Sequence, residues 1–358
     1  MASYASVLVA GGAGFVGSHI ALRLRARYPD ARITAADNLR RRGSEWNLPR
    51  LAAGRVEFVH ADVRVPGDLA LAGARFDLIV DCSAEPSVLS AYEAGPRHVI
   101  ETNLTGTVNL LEVARRDRAD VVFLSTSRVY PLAALASIAY EERETRFAIA
   151  ARQALPGVTA HGIAEEFPLE GARSLYGATK LACELIVAEY AEMYGLRTIV
   201  DRAGVITGPW QMGKADQGVF AWWMGCHYFN RPLRYIGYGG NGKQVRDFVD
   251  VAELCDLIIR QLEVIETAPR HAYNAGGGLA SSLSLAETTA LCEEITGNRV
   301  EIERVAENRP ADVRIYVTDN ARVTADTGWS PCKAPRDTLA GIFDWIRANE
   351  RVLAPLWS

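Results

Sequence analysis

A tyrosine and a lysine four positions apart are the first residues whose spacing suggests chemistry. Tyr176 and Lys180 lie in the sequence YGATK, and residues separated by four positions share one face of an α-helix. A neighbouring cation stabilises the phenolate form of tyrosine, so Tyr176 could act as a general base near neutral pH. Lys180 could also donate hydrogen bonds to the hydroxyl groups of a ribose. Taken alone, the pair could also be two solvated helix residues.

A glycine-rich turn near the N-terminus supplies a second signal. The sequence GGAGFVG, residues 11–17, follows a short apolar run and precedes a helical pattern. In this context Gly11 permits a tight turn, Gly14 lets the backbone approach a diphosphate, and Gly17 allows the helix to pack closely on the strand. The diphosphate would then lie at the positive N-terminus of the helix. We interpret the turn as a dinucleotide-binding loop.

An acidic residue favours one of the two nicotinamide cofactors. Asp37 ends the second predicted strand, 20 residues after Gly17, where a carboxylate accepts hydrogen bonds from ribose hydroxyl groups and repels a 2′-phosphate. The three arginines at positions 40–42 are a counter-signal, because guanidinium groups bind phosphate. The balance favours NAD over NADP. Asp62 follows the third predicted strand, where its side chain could meet the adenine or cap a turn.

Small hydroxyl residues end the fifth predicted strand. Ser125, Thr126 and Ser127 stand at this position, and ligands of parallel α/β sheets bind at the carboxyl ends of the strands. A hydroxyl group there could orient a reacting alcohol or ketone. The alternative is a simple turn of small polar residues.

Strands and helices alternate through the first 130 residues. Short apolar runs predict strands, amphipathic stretches predict helices, and this alternation is typical of an α/β protein whose parallel sheet is covered on both faces. Right-handed crossovers make it a doubly wound, Rossmann-type sheet. The predicted strands are 7–10, 32–36, 56–59, 78–82 and 121–125, and the clearest helices are 15–27 and 99–116.

The alternation of predicted strands and helices ends after Tyr130. Residues 131–173 show no clear alternation, and we interpret them as an insertion near the substrate. We predict that residues 1–203 form an NAD-binding Rossmann domain and that residues 204–358 form mostly a smaller substrate-binding domain, with some segments returning to the sheet. The further predicted elements are a strand at 197–201 and helices at 174–194, 251–264, 285–296 and 336–349.

The composition narrows the class of protein. The 358 residues carry 39 Lys plus Arg against 43 Asp plus Glu, and the lack of a basic excess argues against a nucleic-acid binder. No apolar run approaches the ~20 residues that cross a bilayer, and residues 1–9 lack the features of a secretory signal. The six cysteines are scattered without a CxxC pair, which predicts free thiols in a reducing cytoplasm and argues against a metal site.

These motifs together resemble the extended short-chain dehydrogenase/reductase family that modifies nucleotide sugars. The matching stretches are 11–17, 103–107, 125–130, 176–180, Arg202 with 208–209, and 240–247. The stretches 37–48, 144–146, 216–218 and 274–285 are most similar to the members that epimerise carbon 2 of CDP-linked deoxyhexoses. The chain departs from the common family pattern at Asp81, Ser83, Pro131 and Asp201.

The resemblance implies roles for individual residues. Thr126, Tyr176 and Lys180 would form the catalytic trio. Besides Tyr176 and Lys180, the implied contacts to NAD are Gly11, Gly14, Phe15, Val16, Asp37, Asn38, Arg42, Ser44, Asp62, Val63, Ser83 and Asn103. The implied contacts to the nucleotide sugar are Ser127, Arg128, Gln211, Gln244, Arg246 and Arg314. Arg246 and Arg314 would lie near its diphosphate, although a surface salt bridge is the alternative for Arg314. The resemblance also implies a homodimer or homotetramer, paired through the helices at 99–116 and 174–194.

The two residues that follow the expected catalytic threonine differ between members of this family that catalyse different reactions. Relatives that eliminate water carry Asp-Glu there, and decarboxylating relatives carry a Glu at the second position, whereas this chain has Ser127 and Arg128. Elimination needs a further acid and base, and a guanidinium cannot shuttle protons. A glutamate at 141, 142, 165 or 166 could still enter the site.

The expected reaction is therefore an epimerisation. NAD would transiently oxidise a sugar hydroxyl to a ketone and then return the hydride to its other face, at carbon 2 of a CDP-linked deoxyhexose by resemblance. The alternatives are a carbon-4 epimerase, a net reductase and a non-catalytic NAD-binding redox sensor.

Overall fold

A seven-stranded parallel sheet forms the centre of the molecule, which is seen here in a computed structural model. The structure describes residues 3–88, 90–93, 95–214, 217–267 and 272–356. Asp216, part of one stretch on which the resemblance rests, lies outside these residues. The strands are β1 (Ser6–Ala10), β2 (Arg32–Asp37), β3 (Glu57–His60), β4 (Leu78–Asp81), β5 (Asp120–Thr126), β6 (Tyr140–Glu142), β7 (Phe147–Ile149), β8 (Val158–Thr159), β9 (Gly162–Ile163), β10 (Thr198–Ala203), β11 (Val205–Thr207), β12 (Leu233–Ile236), β13 (Val245–Asp250), β14 (Ala272–Ala275), β15 (Ser282–Ser284), β16 (Ile302–Val305) and β17 (Ile315–Tyr316).

The order of the strands confirms the doubly wound fold. The sheet runs β3-β2-β1-β4-β5-β10-β14, so the direction of winding reverses between β1 and β4, which is where ligands of such sheets bind. The helices are α1 (Phe15–Arg27), α2 (Leu48–Ala53), α3 (Ser90–Glu93), α4 (Pro96–Ile100), α5 (Gly106–Asp117), α6 (Leu132–Ala136), α7 (Leu175–Tyr194), α8 (Val219–Tyr228), α9 (Val251–Val264), α10 (Leu285–Thr296), α11 (Ala321–Thr327), α12 (Pro335–Ala348) and α13 (Glu350–Leu353).

Alternate residues of the buried strands point into two separate apolar cores. In β1, Val7 and Val9 pack in the core that includes α1 and α9, whereas Leu8 packs in the core that includes α5 and α7. Both faces of the sheet are therefore covered, as a parallel sheet requires. The predicted helix at 99–116 begins earlier, at Pro96, and passes through a π-helical turn, Glu101–Thr105, between α4 and α5.

The second half of the chain builds a smaller lobe and also completes the sheet. A sheet of β11, β13, β15 and β17 and a parallel pair, β12 with β16, lie beside a helical core of α8, α10 and α12. Strand β14 pairs with β10 at the edge of the central sheet, and α9 packs on the same face as α1. Both halves of the chain contribute to the central sheet, so the predicted domain boundary at residue 203 stays a prediction.

The stretch 131–173 contains α6 and two small hairpins, β6 with β7 and β8 with β9. Strand alternation does not predict these hairpins because each strand has only two or three residues. The first hairpin contacts the smaller lobe, where Lys243 Nζ lies 2.8 Å from Glu142 Oε1 and the Phe147 amide donates to the Lys243 carbonyl at 2.9 Å.

A buried acid in β10 makes stability depend on pH. Asp201 accepts a hydrogen bond of 2.6 Å from Gln261 of α9, but among the described residues none bonds to the Asp201 Oδ2 or to the Gln261 Oε1. Burial raises the pKa of Asp201 to about 7, above its value near 4 in an unfolded chain. At a pH between these two pKa values, Asp201 is protonated in the folded protein and ionised in the unfolded chain. The contribution of the protonated Asp201 to the stability of the folded state is therefore lost as pH rises through 7.

We therefore expect Asp201→Asn to be more stable than the unsubstituted protein above pH 7, by about 1–3 kcal/mol, and similar to it at pH 5. Urea unfolding of both proteins at pH 5, 7 and 8.5 measures this difference. Other titrating groups, such as the buried Asp247, are present in both proteins and cancel. A difference that stays constant across the three pH values would contradict the assignment.

Candidate active site

The glycine turn presents bare backbone amides at the start of α1. Gly14 is the N-cap of this helix, no side chain caps it, and its first turn has no acidic residue. A Cβ on Gly17 would lie 2.1 Å from the Gly11 carbonyl oxygen, whereas a Cβ on Gly14 would meet only that oxygen, at 3.1 Å. The side of Gly14 that faces the cavity is thus open. These features fit a diphosphate at the helix N-terminus.

Asp37 stands beside this turn at the end of β2. Its carboxylate accepts hydrogen bonds from the amides of Leu39, at 2.8 Å, and Ala13, at 3.2 Å. Burial raises the pKa of Asp37, and these amides oppose the shift. Together with the open glycine turn, the placement of Asp37 fits the adenosine half of a dinucleotide.

Asp62 is bonded within the turn after β3. Its carboxylate accepts hydrogen bonds from Arg64, at 2.6 Å, and from the Asn38 amide, at 3.0 Å, and the guanidinium holds the pKa of Asp62 well below its usual range. Its neighbours Ala61 and Val63 line the cavity, and Asp62 is not among the described residues of the wall. These contacts fit the fixing of a turn, and the contact of Asp62 with the adenine stays a prediction.

The expected catalytic residues come from β5 and α7. Thr126 ends β5 and Tyr176 lies in the first turn of α7, which Ser174 caps by accepting a hydrogen bond from the Gly177 amide. A Cβ on Gly177 would lie 2.0 Å from the Arg128 carbonyl oxygen, so glycine is needed for this close approach. Lys180 is buried, and its Nζ donates to the Leu124 carbonyl at 2.8 Å. The structure brings all three members of the trio to one cavity.

A buried ion pair lies behind this trio. Glu184, one turn after Lys180, accepts hydrogen bonds from Arg202 of β10, at 2.8 and 3.0 Å, and from Ser125 of β5. Arg202 also lies 3.4 Å from the Tyr130 hydroxyl, which donates to Asn274 at 2.7 Å. Sequence reasoning missed Glu184, although its spacing of four from Lys180 places it on the same face of the helix.

Arginines line the described cavity wall on both sides: residues 40–42 lie on the dinucleotide side, Arg128 follows β5, and Arg234, Arg246 and Arg309 belong to the smaller lobe. Of the expected substrate residues, Ser127, Arg128, Gln211, Gln244 and Arg246 line the cavity. Arg246 forms an ion pair of 2.9 Å with Asp312, and Arg128 donates to the Ala311 carbonyl at 3.0 Å. A cationic wall suits the diphosphate of a nucleotide sugar.

Arg314 does not line this cavity. Its guanidinium stacks 4.0 Å from the ring centre of Tyr140 and also lies near Phe147 and Tyr238, at 5.8 and 5.3 Å. Arg314 thus joins the first hairpin to the smaller lobe through cation–π contacts, and its contact with a diphosphate stays a prediction.

Asn103 and Ser83 support the wall that follows β4. Asn103 is fully buried in the π-helical turn, accepts from the Glu85 amide at 2.7 Å and donates to Thr179 of α7 at 3.1 Å. Ser83 lines the cavity and donates to Asp81 at 2.6 Å. Two departures from the family pattern, at positions 81 and 83, are therefore bonded to each other.

Glu85 is the cavity acid that sequence reasoning missed. Within the described ranges, the carboxylates on the cavity wall belong to Asp37, Glu85 and Asp312. Glu85 Oε2 lies 3.6 Å from His98 Nε2, which also lines the cavity. The glutamates at 141, 142, 165 and 166 are not on this wall; Glu165, for example, accepts from the Asn274 amide at 2.7 Å.

Contacts between the two lobes close the dinucleotide side of the cavity. A Cβ on Gly43 would lie 2.5 Å from Met212 Cγ, and Arg41 donates a hydrogen bond to Gln217. Arg50 stacks 4.5 Å from the ring centre of Trp210. Arg42 and Ser44 lie on the cavity wall beside this seam, which joins segment 41–50 to residues 210–214 and 217.

One cavity of about 930 Å³ joins these parts. It extends from the glycine turn and Asp37, past the trio, to the arginines of the smaller lobe. Such a volume is at the upper end for small-molecule sites, as binding a dinucleotide and a second nucleotide would require.

The sequence matches the NAD dependent epimerase/dehydratase family over residues 7–276. The chain belongs to this family. The resemblance predicted from its motifs is thus confirmed, and NAD is its cofactor, as the family description states. Among the described residues, no helix is long and apolar enough to span a bilayer.

Full-length relatives catalyse different reactions on nucleotide sugars. CDP-paratose 2-epimerase of Salmonella typhi is 29% identical, covering 95% of this chain and 98% of its own. A dTDP-glucose 4,6-dehydratase of an Actinoplanes species is 28% identical, covering 96% and 98%. The structure of Thermus thermophilus UDP-glucose 4-epimerase in complex with NAD aligns with a TM-score of 0.76 at 27% identity, covering 96% and 99%.

The geometry of the glycine turn predicts different effects for alanine at Gly14 and alanine at Gly17. Gly14→Ala places a methyl group into the space assigned to the diphosphate, so we expect NAD content to fall at least about tenfold while the NAD-free protein loses about 1 kcal/mol of stability. Gly17→Ala drives its methyl group into a backbone oxygen, so we expect a loss of about 1–3 kcal/mol or more.

Enzymatic assay of the NAD released from each purified protein, together with urea unfolding after NAD removal, measures both effects. Gly67→Ala is the control, because a Cβ at this exposed position meets nothing within 4 Å. Equal NAD content in the Gly14 variant and the unsubstituted protein would show that the diphosphate binds elsewhere.

Proposed function

We propose that this chain is an NAD-dependent nucleotide-sugar epimerase that oxidises a sugar hydroxyl transiently and reduces the ketone from its other face. The observation that carries the proposal is the convergence of Thr126, Tyr176 and Lys180 with the open glycine turn on one cavity. When bound, NAD accepts and returns the hydride. The chain itself must move one proton and hold the sugar oxygen.

Two members of the trio, Thr126 and Lys180, have hydrogen bonds that fit their proposed roles. The Thr126 hydroxyl accepts from the Arg128 amide at 3.2 Å, so its own proton is free to be donated to the sugar oxygen. Tyr176 removes the proton from the sugar hydroxyl and gives it back. Lys180 uses one proton on the Leu124 carbonyl and keeps two others, which can serve the ribose and the phenolate.

The cavity acids favour epimerisation over elimination. The positions after Thr126 are Ser127 and Arg128, Asp37 is held by backbone amides, and Asp312 is paired with Arg246. Glu85 is the carboxylate left for acid–base work beside its histidine. Elimination of water is therefore the second candidate reaction, and it would use Glu85.

Carbon 2 of a CDP-linked deoxyhexose is the proposed position of the reaction. Support comes from the full-length similarity to CDP-paratose 2-epimerase, and the competing substrates are those of carbon-4 epimerases or a net reductase. Incubation of the NAD-loaded protein with CDP-, UDP- and dTDP-linked hexoses in D₂O, followed by proton NMR, separates these possibilities. Epimerisation inverts one carbon without adding deuterium, because the hydride returns from the cofactor, whereas elimination removes a carbon-bound proton and adds solvent deuterium.

Substitution of the base should separate catalysis from cofactor binding. We expect Tyr176→Phe to lower kcat by about 10²–10⁴-fold, because the proton acceptor is lost, while bound NAD stays at the level of the unsubstituted protein. Tyr194→Phe, at the other end of α7, is the matched control and should keep its activity. If Tyr176→Phe turns over substrate at the rate of the unsubstituted protein, Tyr176 is not the general base.

We further propose that two copies pair through α7 and the helical segment at 99–116, which runs from the end of α4 into α5. Leu185 and Met193 are two helical turns apart on α7 and are 63% and 65% exposed. Such apolar side chains are typical of surfaces that a partner covers. Location in the cytoplasm is also proposed, since the six cysteines are free in the structure.

A charge on this face should therefore prevent pairing. We expect Leu185→Glu to lower the mass measured by light scattering after gel filtration to that of one chain, because pairing would bury the new carboxylate. Leu279→Glu is the control, since Leu279 is a half-exposed leucine of the smaller lobe. If both variants keep the mass of the unsubstituted protein, α7 is not the interface.

A further inference from the structure

We propose that Arg314 is a positioning residue, which joins the first hairpin to the smaller lobe and thereby holds Gln244 and Arg246 where a nucleoside diphosphate binds. This inference rests on the proposed function, because it takes a nucleotide sugar as the ligand of this part of the cavity. It gives a role to the hairpin at 140–149, whose residues are not part of the described cavity wall.

Two backbone hydrogen bonds fix the chain on either side of Gln244, just before and at the start of β13. The Lys243 carbonyl accepts from the Phe147 amide of the hairpin at 2.9 Å, and the Val245 amide donates to the Arg314 carbonyl at 2.9 Å. The Phe147 ring is also buried in one small apolar core with Val245. The hairpin and Arg314 therefore contact the residues that directly precede and follow Gln244.

The side chain of Arg314 connects the same two parts of the molecule. Its guanidinium lies 4.0 Å from the ring centre of Tyr140, 5.3 Å from that of Tyr238 and 5.8 Å from that of Phe147. Tyr140 and Phe147 belong to the hairpin and meet edge to face, with ring centres 5.3 Å apart, whereas Tyr238 belongs to the smaller lobe. One cation thus binds rings from both sides, and such contacts are stronger where water is excluded.

Two ion pairs join the hairpin to the smaller lobe as well. Lys243 Nζ lies 2.8 Å from Glu142 Oε1, and Arg146 lies 3.0 Å from Glu287. Ion pairs at partly exposed positions are weak, but they keep the hairpin attached when the Arg314 contacts are lost. Loss of the guanidinium should therefore loosen the hairpin without detaching it.

Gln244 and Arg246 both line the cavity, and Gln244 has an acceptor to offer to a ligand. Its Nε2 donates to the Ile236 carbonyl at 2.9 Å, and the side chain is buried, with 7% exposed. Among the described residues none donates to its Oε1. A buried acceptor without a partner is costly, so a nucleotide hydroxyl or amino group that reaches it would bind more tightly.

Arg246 supplies the charge that the same ligand needs. Its guanidinium is held by Asp312 at 2.9 Å, and guanidinium groups bind phosphate oxygens strongly. Gln244 and Arg246 are two residues apart on one stretch of chain, so a shift of the start of β13 would move both groups together. The affinity for a nucleoside diphosphate should therefore depend on the Arg314 contacts.

The test measures the binding of CDP and UDP to the NAD-loaded protein by calorimetry, which needs no turnover. Arg314→Met removes the cation but keeps a long apolar side chain, and Tyr140→Ala removes the nearest ring at a position that is 41% exposed. We expect each variant to raise Kd for the tighter-binding nucleotide about three- to tenfold. Tyr140→Phe keeps the ring and should leave Kd unchanged. The double variant should bind no worse than the weaker single one, because both remove one contact.

A matched control removes a similar contact elsewhere. Arg347 of α12 lies 5.3 Å from the ring centre of Phe343, and Arg347→Met should leave Kd unchanged. NAD content should stay the same in all variants, and thermal unfolding shows whether each is folded; Tyr140→Ala with Tyr140→Phe decides if Arg314→Met does not fold. With a nucleotide sugar that is turned over, KM should rise in proportion to Kd while kcat stays unchanged, a division that general destabilisation would not produce.

Three results would overturn the proposal. Weaker binding in Arg314→Met with normal binding in Tyr140→Ala would make Arg314 itself a ligand of the diphosphate. Equal Kd values in all variants would show that the hairpin does not position this wall. No binding of CDP or UDP by the unsubstituted protein would show that the wall does not take a nucleoside diphosphate. Failure of the proposed function would instead appear as normal turnover by Tyr176→Phe, which leaves these binding differences intact.

Discussion

The attachment of α7 to β5 determines the rest of the site. Helix α7 meets β5 and the turn that follows it at three points: Gly177 packs on the Arg128 carbonyl, Lys180 donates to the Leu124 carbonyl and Glu184 accepts from Ser125. These three contacts repeat along one face of the helix, at intervals of three and four residues. They fix the start of α7, which carries Tyr176, relative to Thr126 at the end of β5, and in the proposed mechanism these two residues contact the same sugar oxygen.

Charge is distributed along the cavity according to the group that each part must hold. The glycine turn offers neutral amides at a helix N-terminus that fit one diphosphate, and arginines line the wall both at residues 40–42 and in the smaller lobe. Acids are scarce on the described wall, and each of the three has a partner: backbone amides for Asp37, Arg246 for Asp312 and His98 for Glu85. This distribution suits a reaction in which a proton and a hydride leave one carbon and return to it, with no group expelled.

The sequence predicted the parts of the fold that are encoded locally. The bounds of α1, α9 and α10 follow from apolar periodicity and turn residues, and the glycine turn and trio from short motifs. Contacts between distant residues were not predictable in this way. Asp62 is bonded to Arg64, Arg314 enters an aromatic cluster formed by a hairpin, and Glu85 reaches the cavity through a loop without periodicity. Asp81 and Ser83 each look like a departure from the family pattern, and only the structure shows that they compensate each other.

The seam that joins segment 41–50 to residues 210–214 and 217 bears on how the two proposed ligands would be exchanged. Gly43 against Met212 and Arg50 against Trp210 join the lobes on the dinucleotide side of the cavity. An enzyme that regenerates its own cofactor releases its product in every cycle but has no need to release NAD. Contacts that retain the dinucleotide are therefore compatible with repeated turnover, as long as the sugar nucleotide enters and leaves the cavity elsewhere.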